Sequence, residues 1–89
     1  MTSCLAPHVA PVQLDYKRLA WIRPPGDSRR RVIAWTCDCQ DVIYELCSSG
    51  GQAFLTRTHE GRSLSLETHR ASLCEARATW HALLTGLAR

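Results

Sequence analysis

No stretch of this 89-residue chain is long and apolar enough to span a bilayer, since about 20 consecutive apolar residues are needed. Residues 1–13 lack a charged segment followed by a continuous apolar run, so no export is expected and the expected compartment is the cytoplasm. There is no Cys-x2-Cys pair, no internal repeat and no low-complexity tract. Nor is there a phosphate-binding glycine loop, because Ser49-Gly50-Gly51 lies between two strand-like runs rather than between a strand and a helix. Lysine is nearly missing: Lys17 stands alone among eleven basic residues, which reads as a high-GC coding bias rather than a selected arginine surface. The five cysteines are odd in number and irregularly spaced, so reduced thiols are expected instead of a disulfide framework.

What is present fits one small domain. A chain of this length buries roughly 60 to 65% of its unfolded surface, which leaves no room for a second core. Residues 1–13, with Pro7 and Pro11 and no periodicity, read as a flexible arm, and 14–89 as the folded domain. Net charge is +3, unevenly placed: residues 1–31 carry six basic groups against two acidic, and the rest carry five against six. Lys17, Arg18, Arg23, Arg29, Arg30 and Arg31 are therefore the candidate nucleic-acid contacts. No aromatic residue interleaves the Arg29-Arg30-Arg31 triplet as a single-strand stacking surface would require, and its simplest reading is a solvated loop.

From residue 31 onward the pattern is strand-like. Runs at 32–39, 42–48, 52–58 and 63–67 are rich in β-branched and aromatic residues and are separated by turn signals at Gln40-Asp41, Gly50-Gly51 and Glu60-Gly61. Two-residue turns would set Cys39 opposite Val42, Trp35 opposite Leu46, Leu46 opposite Leu55 and Leu55 opposite Leu66. With a side-chain period of two, one face then collects Ile33, Trp35, Cys37, Cys39, Val42, Tyr44, Leu46, Ala53, Leu55, Leu64 and Leu66. The other is mixed and carries Val32, Ile43, Cys47 and Phe54. Residues 19–23 run into Pro24, which favours extended backbone before it, so a fifth strand is preferred there over a short helix.

A helix over 73–85 covers the apolar face. Ser72-Leu73-Cys74-Glu75 matches a capping box, Leu73, Ala76, Trp80, Leu83, Leu84 and Leu87 recur at near-helical spacing, and Gly86 stands at the C-cap. The expected fold is α+β: an antiparallel four-stranded meander with one C-terminal helix packed across one face.

The thiols and histidines offer chemistry but no complete arrangement. A structural zinc site wants four converging ligands, whereas the turn spacing puts Cys37 and Cys39 on the core face and Cys47 on the other. No metal or cofactor is therefore expected, and a small zinc-binding domain, using Cys37, Cys39 and a histidine or Cys74, ranks as the second alternative. A Cys37-Cys39 disulfide is awkward in extended backbone. Asp38 and Asp41 flank a turn, and His8, His59, His69 and His81 are scattered. Nothing assembles a substrate pocket or an oxyanion hole, and no enzyme is expected.

The pattern Trp35-x-Cys37-x-Cys39, Tyr44-Glu45-Leu46, Gly50-Gly51-x-x-Phe54 and Trp80-x-x-Leu83-Leu84-x-Gly86-x-Ala88-Arg89 resembles small uncharacterised proteins of actinobacteria over roughly the last two thirds of the chain. That resemblance implies a cytosolic bacterial origin and assigns no activity. In element order the chain is also similar to the later part of double-stranded RNA-binding domains. Those carry a lysine cluster at the start of the last helix, where this chain has His69, Arg70 and then Glu75.

The functional expectation is a non-catalytic interaction or regulatory module. Its open sheet face, with Val32, Ile43, Cys47 and Phe54, would meet another protein or a second copy of the chain. Nucleic-acid binding through the basic N-terminal segment is the alternative.

Overall fold

The structure is a computed structural model that describes residues 6–23, 30–37, 39, 41–59 and 65–89. Its elements are β1 (Arg31–Trp35), β2 (Val42–Ser49), β3 (Gln52–His59), β4 (Ser65–Glu67) and α1 (Leu73–Leu84). The strands form one antiparallel sheet in the order β1-β2-β3-β4. The helix lies on β2 and β3, which gives the expected α+β architecture.

The β2-β3 hairpin is the best-defined pairing. Gly50 and Gly51 take φ of 58° and 81°, the two positive values of the tight turn that matches strand twist. Leu46 then faces Leu55 and Tyr44 faces Arg57. At the helix start the Ser72 hydroxyl accepts from the Glu75 amide at 3.2 Å, satisfying one of the amides a helix start leaves unpaired. Tyr44, Leu46, Ala53 and Leu55 from the sheet meet Ala76, Trp80 and Leu83 from α1 in one buried cluster. Leu73 and Leu87, expected in the same stripe, are exposed.

Two registers depart from expectation. Between β3 and β4, Leu66 faces Arg57 instead of Leu55. That slip of two residues leaves every side chain on its expected face; the expected turn at 60–61 and Leu64 lie outside the described residues. Between β1 and β2 the change is larger. Trp35 faces Glu45 instead of Leu46, Ala34 takes the place opposite Leu46, and a bulge falls between Val32 and Ala34. The ladder stops at Thr36, whose amide donates to the Tyr44 carbonyl while its hydroxyl accepts from the Tyr44 amide, both at 2.9 Å. An odd-numbered slip moves side chains to the opposite face. Trp35 therefore leaves the core face, and Cys37 and Cys39 leave the strand altogether. Gln40, half of the expected two-residue turn, is outside the described residues.

The N-terminal segment also differs from its sequence reading. Residues 6–13, read as an arm, are hydrogen bonded: Cys37 N–H donates to the Pro7 carbonyl, Ala10 N–H to Leu84 and Gln13 N–H to Gly86, each at 2.9 Å. Further on, Lys17 pairs with Ala88 and Ile22 bridges to Glu67 on the β4 edge. The expected fifth strand is thus a single-residue bridge. Leu19 and Trp21 pack against the helix-side cluster, the Trp21 ring lying 5.8 Å from that of Tyr44 and 4.9 Å from the Arg57 guanidinium.

Candidate functional site

The sheet face away from α1 was the expected docking face, and most of its apolar groups are already covered. Cys47 and Phe54 are 0% and 1% exposed, so neither offers surface to a partner, which corrects two of the four expected contacts. The cover includes charged side chains with apolar stems. Arg70 lies over the Phe54 ring at 4.6 Å and approaches Glu67 at 3.9 Å, while Arg30 approaches Glu45 at 3.8 Å. Thr56 is buried beside them and its hydroxyl donates to Glu45 Oε1 at 3.1 Å. Burial, reinforced by the carboxylates of Glu45 and Glu67, pushes the Cys47 thiol up to about 11. It behaves as a small hydrophobe rather than a nucleophile.

What stays open on that face lies along β1 and the start of β2. Val32 is 39% exposed and Trp35 56%, and Ile43 is half-buried. Trp35 also borders a shallow hollow of about 250 Å³ with Ala6, Pro7, Ile33 and Ala34. Sequence reasoning kept Trp35 in the core, because the bulge that rotates it outward leaves no turn-spacing signal.

Just beyond the end of β1 the chain brings Cys37 and Cys39 together with a histidine, His8, one of the combinations weighed from sequence. Cys37 and Cys39 bring their Sγ atoms to 3.1 Å, and the Cys39 amide donates to Cys37 Sγ at 3.5 Å. Cys39 Sγ lies 3.0 Å from Nε2 of His8, 31 positions away. The three donor atoms all fall within 4.8 Å of one another, Cys37 buried and the other two exposed. His8 is held in place by its neighbour, since the Pro7 carbonyl accepts from the Cys37 amide. Cys74 and Cys47 are outside this group.

The described basic residues have separate surroundings. Lys17 and Arg18 border a hollow with His69 and Thr79, and Arg18 lies 6.0 Å from the Tyr16 ring centre. Arg31 borders a different hollow, beside Gly50-Gly51 and Leu73. Arg30 is the partner of Glu45, Arg23 is exposed, and Arg29 lies outside the described residues, as does Asp38. Asp41, His59, His69 and His81 are exposed or peripheral and join no donor group among the described residues. No helix among the described residues is long and apolar enough to cross a membrane.

Comparison of the chain with protein-family models, with curated proteins and with solved structures finds no match.

Proposed function

We propose that this chain is a small non-catalytic interaction module that takes an extended apolar segment of another protein along β1. Trp35 carries the reading. Its indole is more than half exposed on a face where Cys47 and Phe54 are covered, and a tryptophan beside a hollow is the residue type that most often anchors an interface. Val32 and Ile43 flank it and retain their expected role; Cys47 and Phe54 drop out. The sheet offers β1 as an edge, and among the described residues no strand pairs with its outer side, which suits strand addition by a peptide.

Size favours a segment over a whole domain. The open patch comprises a few side chains, whereas a stable dimer buries about 800 Å² on each partner. A monomeric mass by light scattering is therefore expected. Peptides selected from a displayed random library against the full chain should bind Trp35→Ala about 30-fold more weakly, the loss that a 2 kcal/mol anchor implies. Equal binding by wild type and variant would refute the site. A dimer that dissociates on the same substitution would transfer the role of partner to a second copy of the chain.

A further inference from the structure

We propose that His8 Nε2, Cys37 Sγ and Cys39 Sγ form a binding site for one zinc ion that fastens the N-terminal segment to the end of the sheet. Three observations carry this beyond the docking role of β1. The donors are two thiols and an imidazole, ligand types that zinc takes in its protein sites. They come from segments 31 positions apart in sequence, so local chain geometry does not account for their convergence. Finally, the segments are already registered by the Cys37 amide donating to the Pro7 carbonyl at 2.9 Å, which holds the histidine and the two thiols together before any ion arrives.

The distances suit the ion after a small adjustment. With Zn–S near 2.3 Å and Zn–N near 2.0 Å, tetrahedral coordination separates two sulfurs by roughly 3.8 Å and a sulfur from a nitrogen by roughly 3.5 Å. The observed separations are 3.1 Å and 3.0 Å, and both Cys39 and His8 are exposed, so each side chain has room to move outward by that difference. Their exposure also supplies an entry path. Cys37, buried and accepting from the Cys39 amide, supplies the fixed corner, and an amide donor to a thiolate is the kind of supporting contact that orients a ligand. On binding, both thiols give up their protons to solvent and the ion takes the resulting charge. The three donors among the described residues leave one tetrahedral position for a further ligand. Cys4, four positions before His8, lies outside the described residues.

The site explains why a Cys-x-Cys step occurs just where β1 stops. An extended strand would hold residues two apart at close to 7 Å between Cα atoms, too far for their thiols to share an ion comfortably. Leaving the ladder after Trp35 lets the two sulfurs approach to 3.1 Å.

The test uses the full chain, purified with its thiols reduced, loaded with Zn2+ and dialysed. One zinc per chain is expected by elemental analysis, and Co2+ substitution should give the visible absorption of tetrahedral thiolate coordination. His8→Ala and Cys39→Ser, both at exposed positions, should retain their far-UV circular dichroism and lose zinc affinity by about 100-fold or more, at least the loss caused by removing a supporting contact. Cys74→Ser should retain full stoichiometry. Zinc binding that survives both His8→Ala and Cys39→Ser would overturn the assignment, as would a reduced chain that retains no zinc. A Cys37–Cys39 disulfide that persists in reductant and blocks zinc loading would overturn it too. None of these readouts depends on a peptide partner, so this site and the β1 docking reading fail independently.

Discussion

Gly86→Ala, measured beside Gly51→Ala, tests the docking of residues 6–13 directly. The two glycines share almost the same backbone, with φ of 80° and 81°, so an alanine at either position carries the same left-handed penalty of about 1 kcal/mol. Their surroundings differ. A Cβ at Gly51 meets nothing within 4 Å, whereas at Gly86 it would overlap the Pro11 carbonyl oxygen and lie 3.1 Å from the carbonyl carbon. Backbone cannot rotate away as a side chain does, so the 10–13 segment must lift. Lifting it breaks the Ala10 to Leu84 and Gln13 to Gly86 main-chain bonds and the Gln13 side-chain bond to the Thr85 carbonyl, each at 2.9 Å. At about 1 kcal/mol for each hydrogen bond, Gly86→Ala should cost about 3 to 4 kcal/mol against about 1 for Gly51→Ala. Urea denaturation of the full chain reads the difference, and amide hydrogen exchange at Ala10 and Gln13 should accelerate only in Gly86→Ala. Equal losses for the two variants, within about 0.5 kcal/mol, would refute the docked segment and return 6–13 to the status of an arm.

Other consequences follow from burial and capping. Cys47 is raised from an ordinary 9.0 to about 11, so between those values the folded chain holds more protons than the unfolded one. Its contribution, about 2 to 3 kcal/mol, is complete below pH 9 and is lost as pH rises to 11. Cys47→Ala should flatten the fall in urea midpoint between pH 8.5 and 10.5, test conditions chosen to span roughly that window. In native protein at neutral pH, iodoacetamide should label Cys74 and spare Cys47, as mass spectrometry of the digest would show. Trp80→Ala empties the cluster under α1 and should cost about 3 to 5 kcal/mol, while Trp35→Ala should change stability by no more than about 0.5 kcal/mol; a reversed order in thermal melts would contradict the two burial assignments. Ser72→Ala removes the bond to the Glu75 amide and should cost about 1 kcal/mol, measurable in the same melts.

Elements encoded over a few residues were legible. Gly50-Gly51 specifies its turn because few other residues adopt two successive positive φ values without strain, and the β2-β3 register follows. Ser72 and the Ala76, Trp80, Leu83 spacing specify the helix and its buried side. The β3-β4 register was misread by two residues, yet the faces survived, since a slip of two preserves side-chain direction. The β1-β2 register was misread by one residue, and there the error reached Trp35 and the Cys37-Cys39 step. A bulge and the Thr36-Tyr44 bonds turned Trp35 from an expected core residue into the most exposed aromatic of its face, and freed Cys37 and Cys39 from the strand. Ranking zinc as the second alternative rested in part on that register.

The sequence by itself determined the α+β class, the central hairpin, the capped helix and which residues of β2 and β3 share a face with Leu46 and Leu55. These depend on local backbone preference and on period, which neighbouring residues carry. Only the tertiary structure decided that Cys47 and Phe54 are covered, that residues 6–13 lie across the helix end, and that His8 meets Cys37 and Cys39. Each of those results joins residues far apart in the chain, where closing the loop is an entropic cost that no local pattern announces and only the assembled packing offsets.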